Sequence, residues 1–283
     1  MFAIIGFVIV IGCILAGFIL EKGNFDLLIS AAPPEMLMIL GGALGQLVIS
    51  APKDVLGATF KGALSIFGGM LTSKPYYLEL LTTLSGLYMK IRREGLMSIE
   101  GDIEHPETSP IFAKATLLSK DKAALAFICD TMRVYLVSGD AQELEQLMDL
   151  DLAAIHPQAS SPAHNLGKTA ESLPGLGIVA AVLGVVLTMG KISQPPEVLG
   201  HSIGAALVGT FLGVLLCYGF VGPLAGNLEN QAMERQTYFS VIRAVIAGAA
   251  RGATPLIAVE YGRRAIPEAL RPDFADLESQ LKG

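Results

Sequence analysis

Residues Ser172 to Gly190 read SLPGLGIVAAVLGVVLTMG, and residues Ile203 to Pro223 read IGAALVGTFLGVLLCYGFVGP, with only the polar link KISQPPEVLGHS between them. These two runs decide the fold class. Each approaches the roughly 20 apolar residues that carry a helix across a bilayer. No Asp or Glu lies between Leu173 and Met189, or between Ile203 and Gly222. Pro174 and Pro223 stand at one end of each run. Gly and Ala crowd both runs, which suits helices packed closely against another helix.

Working outward, two more apolar runs precede them. Phe2–Leu20 has no Lys or Arg before it and no small-residue cleavage site, so it reads as a retained first helix. The second span is expected at about Glu35–Ala51, after the polar link EKGNFDLLISAAPP, with Pro33 and Pro34 at its start, where a missing N–H costs little. Composition agrees. Of 283 residues, 52% are hydrophobic and 16% charged, against roughly 25% charged in soluble domains. The expectation is an all-α integral membrane protein with four transmembrane helices and a large helical cytoplasmic domain.

Four segments follow. Residues 1–51 hold spans 1 and 2, 52–168 a polar helical stretch, 169–223 spans 3 and 4, and 224–283 a polar tail. Of the 20 Lys and Arg, only Lys22 and Lys191 fall in the two short links. The positive-inside bias therefore places both termini and the central stretch in the cytoplasm. In the central stretch, apolar residues spaced by three and four predict a helix within Thr72–Gly95, TSKPYYLELLTTLSGLYMKIRREG, with Thr72 or Ser73 as cap and Pro75 inside its start. A second helix should end at Gly139, and AQELEQLMDLDLAAI reads as a third, acidic one. The tail should continue the fourth span as one long helix.

The chemistry is sparse. A net charge of −6 offers no basic surface for nucleic acid. Cys13, Cys129 and Cys217 form neither a disulfide framework nor a metal spacing and read as small buried hydrophobes. His105, His156, His164 and His201 show no paired metal spacing. Leu166-Gly167-Lys168-Thr169 resembles the end of a phosphate loop, but Pro162 stands where the first glycine is required. No nucleophile–base constellation supports an enzyme, and no cofactor is expected.

Two constellations remain. Pro174, Gly177, Ala181, Gly184 and Thr188 form one small-residue face of the third span. Ala206, Thr210, Gly213 and Cys217 form another on the fourth. The plain reading is a packing seam, with Thr188 and Thr210 hydroxyls bonded to the preceding turn. The sharper reading is a lodging for another helix, with the prolines freeing backbone carbonyls beside a polar path. The spans own no carboxylate on this reading, yet a proton relay needs one, so another chain must bring it. The second constellation is KIRREGLMSIEGDIEHP, with Lys90, Arg92, Arg93, Glu94, Glu100, Asp102 and Glu104. Such a cluster is either a solvated face or a steering patch for a charged partner.

RREGLMSIEGDIE, SLPGLGIVAAVLGVV, LVGTFLGVLLCYGFVGPLA and PLIAVEYGRR together resemble the MotA stator family of the bacterial flagellar motor, over nearly the full length. The resemblance implies a subunit of a proton-conducting complex that turns ion-motive force into torque. It implies that Arg92 and Glu100 engage the rotor switch protein FliG, and that Pro174 and Pro223 serve torque generation. Ala181 stands where the sodium-type relatives place a threonine. With Thr210 as the remaining ring hydroxyl, the resemblance implies coupling to protons. It further implies a pentamer around two copies of MotB, which supplies the protonatable Asp and the peptidoglycan anchor, in the inner membrane at the flagellar base. The alternatives are a sodium-driven stator of the PomA type and a TolQ/ExbB-like energiser of outer-membrane processes. The four spans and the RREG block favour the flagellar type.

Overall fold

A computed structural model describes residues 2–68 and 73–282, and among these there is helix and no strand. In chain order the α-helices are α1 Phe2–Leu20, α2 Phe25–Ser50, α3 Lys53–Ser65, α4 Lys74–Glu94, α5 Glu100–Glu104 and α6 Pro110–Ala113. They continue as α7 Lys122–Ser138, α8 Ala141–Met189, α9 Pro196–Leu215, α10 Gly222–Ala250, α11 Pro255–Ala265 and α12 Phe274–Lys282. Four stretches are long and apolar enough to cross a membrane: Ala3–Leu20, Phe25–Ser50, and parts of Ala141–Met189 and Pro196–Ala250.

The chain folds as two compact units. The first comprises Met1–Gly69 and Ser160–Gln231. Its α2 packs on α9. Its buried apolar residues are few and mostly small: Ile39, Ala43, Ala170, Leu173, Ala180 and Cys217 in one cluster, and Ile66, Ala163 and Leu228 in another. Its large apolar side chains point outward instead, with Ile49 89% and Leu187 71% exposed. A helix that is apolar all round and not covered by protein suits a lipid surround.

The second unit comprises Met70–Ala159 and Ala232–Gly283. It has the core of a water-soluble bundle. Tyr77, Tyr238, Phe112, Leu80, Leu81, Ile128 and Met148 are each at most 1% exposed. Asp121 is its polar hinge-pin. It caps α7 by accepting from Ala124 N at 3.1 Å. It accepts the Tyr76 hydroxyl at 2.9 Å and pairs with Arg235, one bond of which is 2.6 Å. Burial would push this carboxyl up, but the Arg235 and Ala124 hydrogen bonds hold it below its ordinary value.

Several sequence expectations change. The second span starts at Phe25, not near Glu35. Asn24 caps it by accepting from Leu27 N at 3.2 Å, and Pro33 and Pro34 lie inside the helix. A proline's fixed φ suits a helix, and the cost of its lost N–H bond is tolerated in a span with neighbouring helices. Ser73 sits at the N-cap of α4 but makes no capping bond, and Thr72 lies outside the described residues. Gly139 ends α7 in the left-handed conformation, φ 64°, as its position predicts. The acidic segment is not a separate helix but the beginning of α8. Its acidic face is used, for Asp149 pairs with Arg243 at 2.6 Å and Glu145 pairs with Arg251. Lys53–Ser65 is a further helix that the sequence reading passed over. Cys129 and Cys217 are buried as expected, whereas Cys13 is exposed.

Candidate functional site

The glycine faces of α8 and α9 meet each other. A Cβ placed on Gly177 would lie 2.7 Å from the Gly209 carbonyl oxygen and 3.1 Å from Gly213 Cα. One on Gly213 would lie 2.6 Å from the Leu173 carbonyl oxygen, and one on Gly184 would lie 2.7 Å from Ala206 Cβ. These residues let two backbones touch, which replaces hydrophobic drive with dispersion at short range. The seam is internal to the chain. The lodging for another helix read from these glycines is therefore filled by the chain's own helix pair.

Thr188 follows the plain reading, donating to the Gly184 carbonyl at 2.8 Å. Thr210 does not. It is half-buried, and among the described residues its hydroxyl makes no hydrogen bond. Ala181 is half-buried as well. The two residues thus keep polar and apolar surface available beside a sealed seam.

The prolines interrupt the backbone ladder differently. Pro174 lies well inside α8, rather than at a helix start, and is half-buried. It supplies no N–H to the Ala170 carbonyl one turn before it. Just upstream, hydroxyls take up other carbonyls: Ser172 donates to Thr169 at 2.7 Å and Thr169 to Asn165 at 2.9 Å. Pro223 is the second residue of α10 and is exposed. It follows a π-helical segment, Leu216–Val221, closed by Gly222 N–H on the Cys217 carbonyl. A widened turn of this kind marks functional positions in many helices. Here it also tolerates a proline whose N–H is missing.

The sequence reading missed one residue altogether. Glu35, expected at the very start of the second span, sits well inside α2 on the stripe Ala31, Glu35, Ile39, Ala43, Leu47, spaced by four and buried throughout. It is 6% exposed, and its Oε2 has no hydrogen-bond partner. Gly209 of α9 makes room for it, since a Cβ there would strike the carboxyl. The spans therefore do own a carboxylate. The signals were present in Asn24 as a cap candidate and in the four-residue spacing.

In the second unit, the seven-charge cluster divides. Lys90 pairs with Asp102 at 2.7 Å, and Asp102, 5% exposed, also accepts from Ser109 at 2.6 Å. Glu104 pairs with Arg133 at 2.6 Å, and that hydrogen bond holds its carboxyl below the ordinary value. Arg92, Arg93, Glu94 and Glu100 are exposed and make no ion pair among the described residues. Gly95, at φ 89°, turns the chain sharply between Arg92 at the end of α4 and Glu100 at the start of α5. Two opposite charges are thus presented on a turn braced from beneath by buried Asp102. The phosphate-loop lookalike at Leu166–Thr169 lies inside α8. Among the described residues no group of His, Cys, Asp and Glu could hold a metal ion.

Comparison with known proteins fits this geometry. The family described as Motility protein A N-terminal matches residues 4–95, and the MotA/TolQ/ExbB proton channel family matches residues 119–240. Motility protein A of Escherichia coli is 34% identical over 100% of this chain and 95% of its own length. Chemotaxis protein LafT of Vibrio parahaemolyticus is 32% identical over 98% of this chain and 97% of its own. Among solved structures, C. jejuni MotAB superposes with a TM-score of 0.76 at 21% identity, covering 94% of this chain and 95% of that one. The flagellar MotAB stator complex of Bacillus subtilis superposes at 0.72 and 23% identity, covering 91% and 92%. These two likenesses concern the fold.

Proposed function

The chain belongs to the MotA/TolQ/ExbB proton channel family, and from that premise we propose that it is the stator subunit of a bacterial flagellar motor. The observation that carries the reading is the full-length likeness to Motility protein A at 34% identity, through both the spans and the polar regions. An energiser of the TolQ/ExbB kind would match only the span pair. In this reading a MotB-type partner supplies the protonatable Asp of the main path and the wall anchor. Copies of this chain, five in the proposed arrangement, surround it in the inner membrane with both termini in the cytoplasm.

Arg92 and Glu100 contact the rotor protein FliG. Their freedom from internal pairs supports this, because a charge spent on the fold is not available to steer a partner. Pro174 and Pro223 soften α8 and the α9–α10 junction where they must rock when the partner's charge is neutralised. The coupled ion is the proton. Ala181 contributes no oxygen, and one Thr210 hydroxyl per subunit makes a poor cage for sodium.

The test is complementation of a swimming defect in cells lacking their own motility protein A. The native chain, with its partner, should restore swimming, and swimming should persist without external sodium. Arg92→Glu and Glu100→Lys should impair it at normal membrane levels, and Pro174→Ala should assemble but turn weakly. Failure of the native chain to restore swimming overturns the stator reading, and arrest without sodium overturns the proton assignment.

A further inference from the structure

Glu35 is a buried acid that the stator reading above does not use. Gly204–Gly213 of α9 and Leu173–Gly184 of α8 carry no titratable side chain. The next titratable groups along the chain are His201 on α9, Cys217 in the π-helical segment that follows it, and Glu171 on α8. On the α1 side, Cys13 and, just past the end of α1, Glu21 line a cavity that also includes Leu28 and Ala32 of α2. Among the described residues no Lys or Arg pairs with Glu35, and its Oε2 is buried without a partner.

A carboxylate in such a place would forfeit its hydration with nothing in exchange. The neutral acid loses far less. The site is nonetheless shaped for a carboxyl, because Gly209 leaves the space opposite it free of a side chain and Ala180 lies just beside, 3.2 Å from where a Gly209 Cβ would stand. A metal cation would need several oxygens, and these neighbours bring none from side chains. A proton needs one.

We propose that Glu35 is a proton-binding site of this chain, carrying its proton at neutral pH and exchanging it during ion passage. Uptake forms an O–H bond on the carboxylate. Release returns the proton to water and leaves the carboxylate, which is transient because its surroundings give it no counter-charge. The placement within the membrane rests on the stator reading, and the site is additional to the partner's Asp.

The experiment uses the full chain co-assembled with its MotB-type partner in lipid vesicles. Infrared spectra at neutral pH should show a protonated-carboxyl carbonyl band that shifts in heavy water and is lost in Glu35→Gln. Glu35→Asp should retain a displaced band. Proton flux into the vesicles should fall several-fold in Glu35→Gln and less in Glu35→Asp. Glutamine matches the shape of glutamate, so a role in packing alone leaves the flux of Glu35→Gln at the native level, and that result overturns the proposal. Identical spectra for native and Glu35→Gln complexes also overturn it. The band reports Glu35 whether or not the complex conducts, so failure of the stator reading gives a distinguishable result.

Discussion

In the unit formed by Met1–Gly69 and Ser160–Gln231, the tightest helix contacts are made by Gly177, Gly184, Gly209 and Gly213. In the unit formed by Met70–Ala159 and Ala232–Gly283, they are made by Tyr77, Phe112, Tyr238 and a set of Leu, Ile and Met. Electrostatics divide the same way. The pairs Lys90–Asp102, Arg133–Glu104, Arg235–Asp121, Arg243–Asp149, Arg251–Glu145 and Arg263–Glu260 all lie in the second unit. Water gives the second unit a hydrophobic drive proportional to apolar area, so large side chains go inside. Lipid gives the first no such drive, so close backbone approach does the work and large side chains go outside. One chain thus contains two packing rules, and each can be tested against the other.

The largest expected effect is in the second unit. Asp121→Ala strips Arg235 of its partner, removes the cap of α7 and frees the Tyr76 hydroxyl. The pair is partly buried, and losing it together with the helix cap costs about 2–4 kcal/mol. Thermal unfolding of the full chain followed by circular dichroism reads it, and a cost below about 1 kcal/mol would show that ion pairs do not organise this unit.

Next is the glycine seam. Gly213→Val should cost about 1–3 kcal/mol by overpacking, because even its Cβ meets the Leu173 carbonyl. Gly226→Ala is the control, since a Cβ there meets nothing within 4 Å, and it should stabilise the helix by up to about 1 kcal/mol. Equal behaviour of the two variants in resistance to protease in the bilayer would remove the first packing rule.

Glu260 sharpens the comparison through pH. Its hydrogen bond from Arg263 leads a set that, against burial and with Arg264, lowers its carboxyl from 4.5 to about 2. The folded value lies below the unfolded one, so the contribution is present above the unfolded value and fades as pH falls from 4.5 towards about 2. Glu260→Gln should cost about 1.5–3 kcal/mol near neutrality. Its deficit against the native chain should shrink across that acid window in parallel melts. A deficit that is constant with pH would mean that the charge is not what holds α11.

The smallest effect on the fold belongs to the charges proposed for rotor contact. Arg92→Glu and Glu100→Lys should each lie within about 0.5 kcal/mol of native stability, while Asp102→Ala should destabilise clearly. Melting curves of the three variants decide it. A large stability loss at Arg92 or Glu100 would move them from contact residues to structural ones.

Much of this was legible in the residues. Apolar length predicted four spans, and the spacing of Tyr77, Leu80, Leu81 and Leu84 predicted α4. The charged character of the Arg92–Glu104 turn was equally plain. Sorting its charges was not, because the partners Ser109 and Arg133 come from other elements. The start of α2 was misread because two adjacent prolines normally mark a boundary. Inside a span packed by neighbouring helices the lost hydrogen bonds are tolerated, so the prolines mark no boundary here.

The sequence by itself determined what local chemistry determines: helix type, the apolar lengths, the left-handed Gly139, the small faces of α8 and α9, and the family motifs. Tertiary structure decided what depends on who stands opposite. It turned the glycine faces toward each other, paired Asp102 and Glu104 but not Arg92 and Glu100, and buried Glu35 against Gly209. Periodicity records which side of a helix is apolar or small. It carries no record of the distance from that side to a residue 174 positions away, and burial, charge pairing and proton affinity are set by that distance.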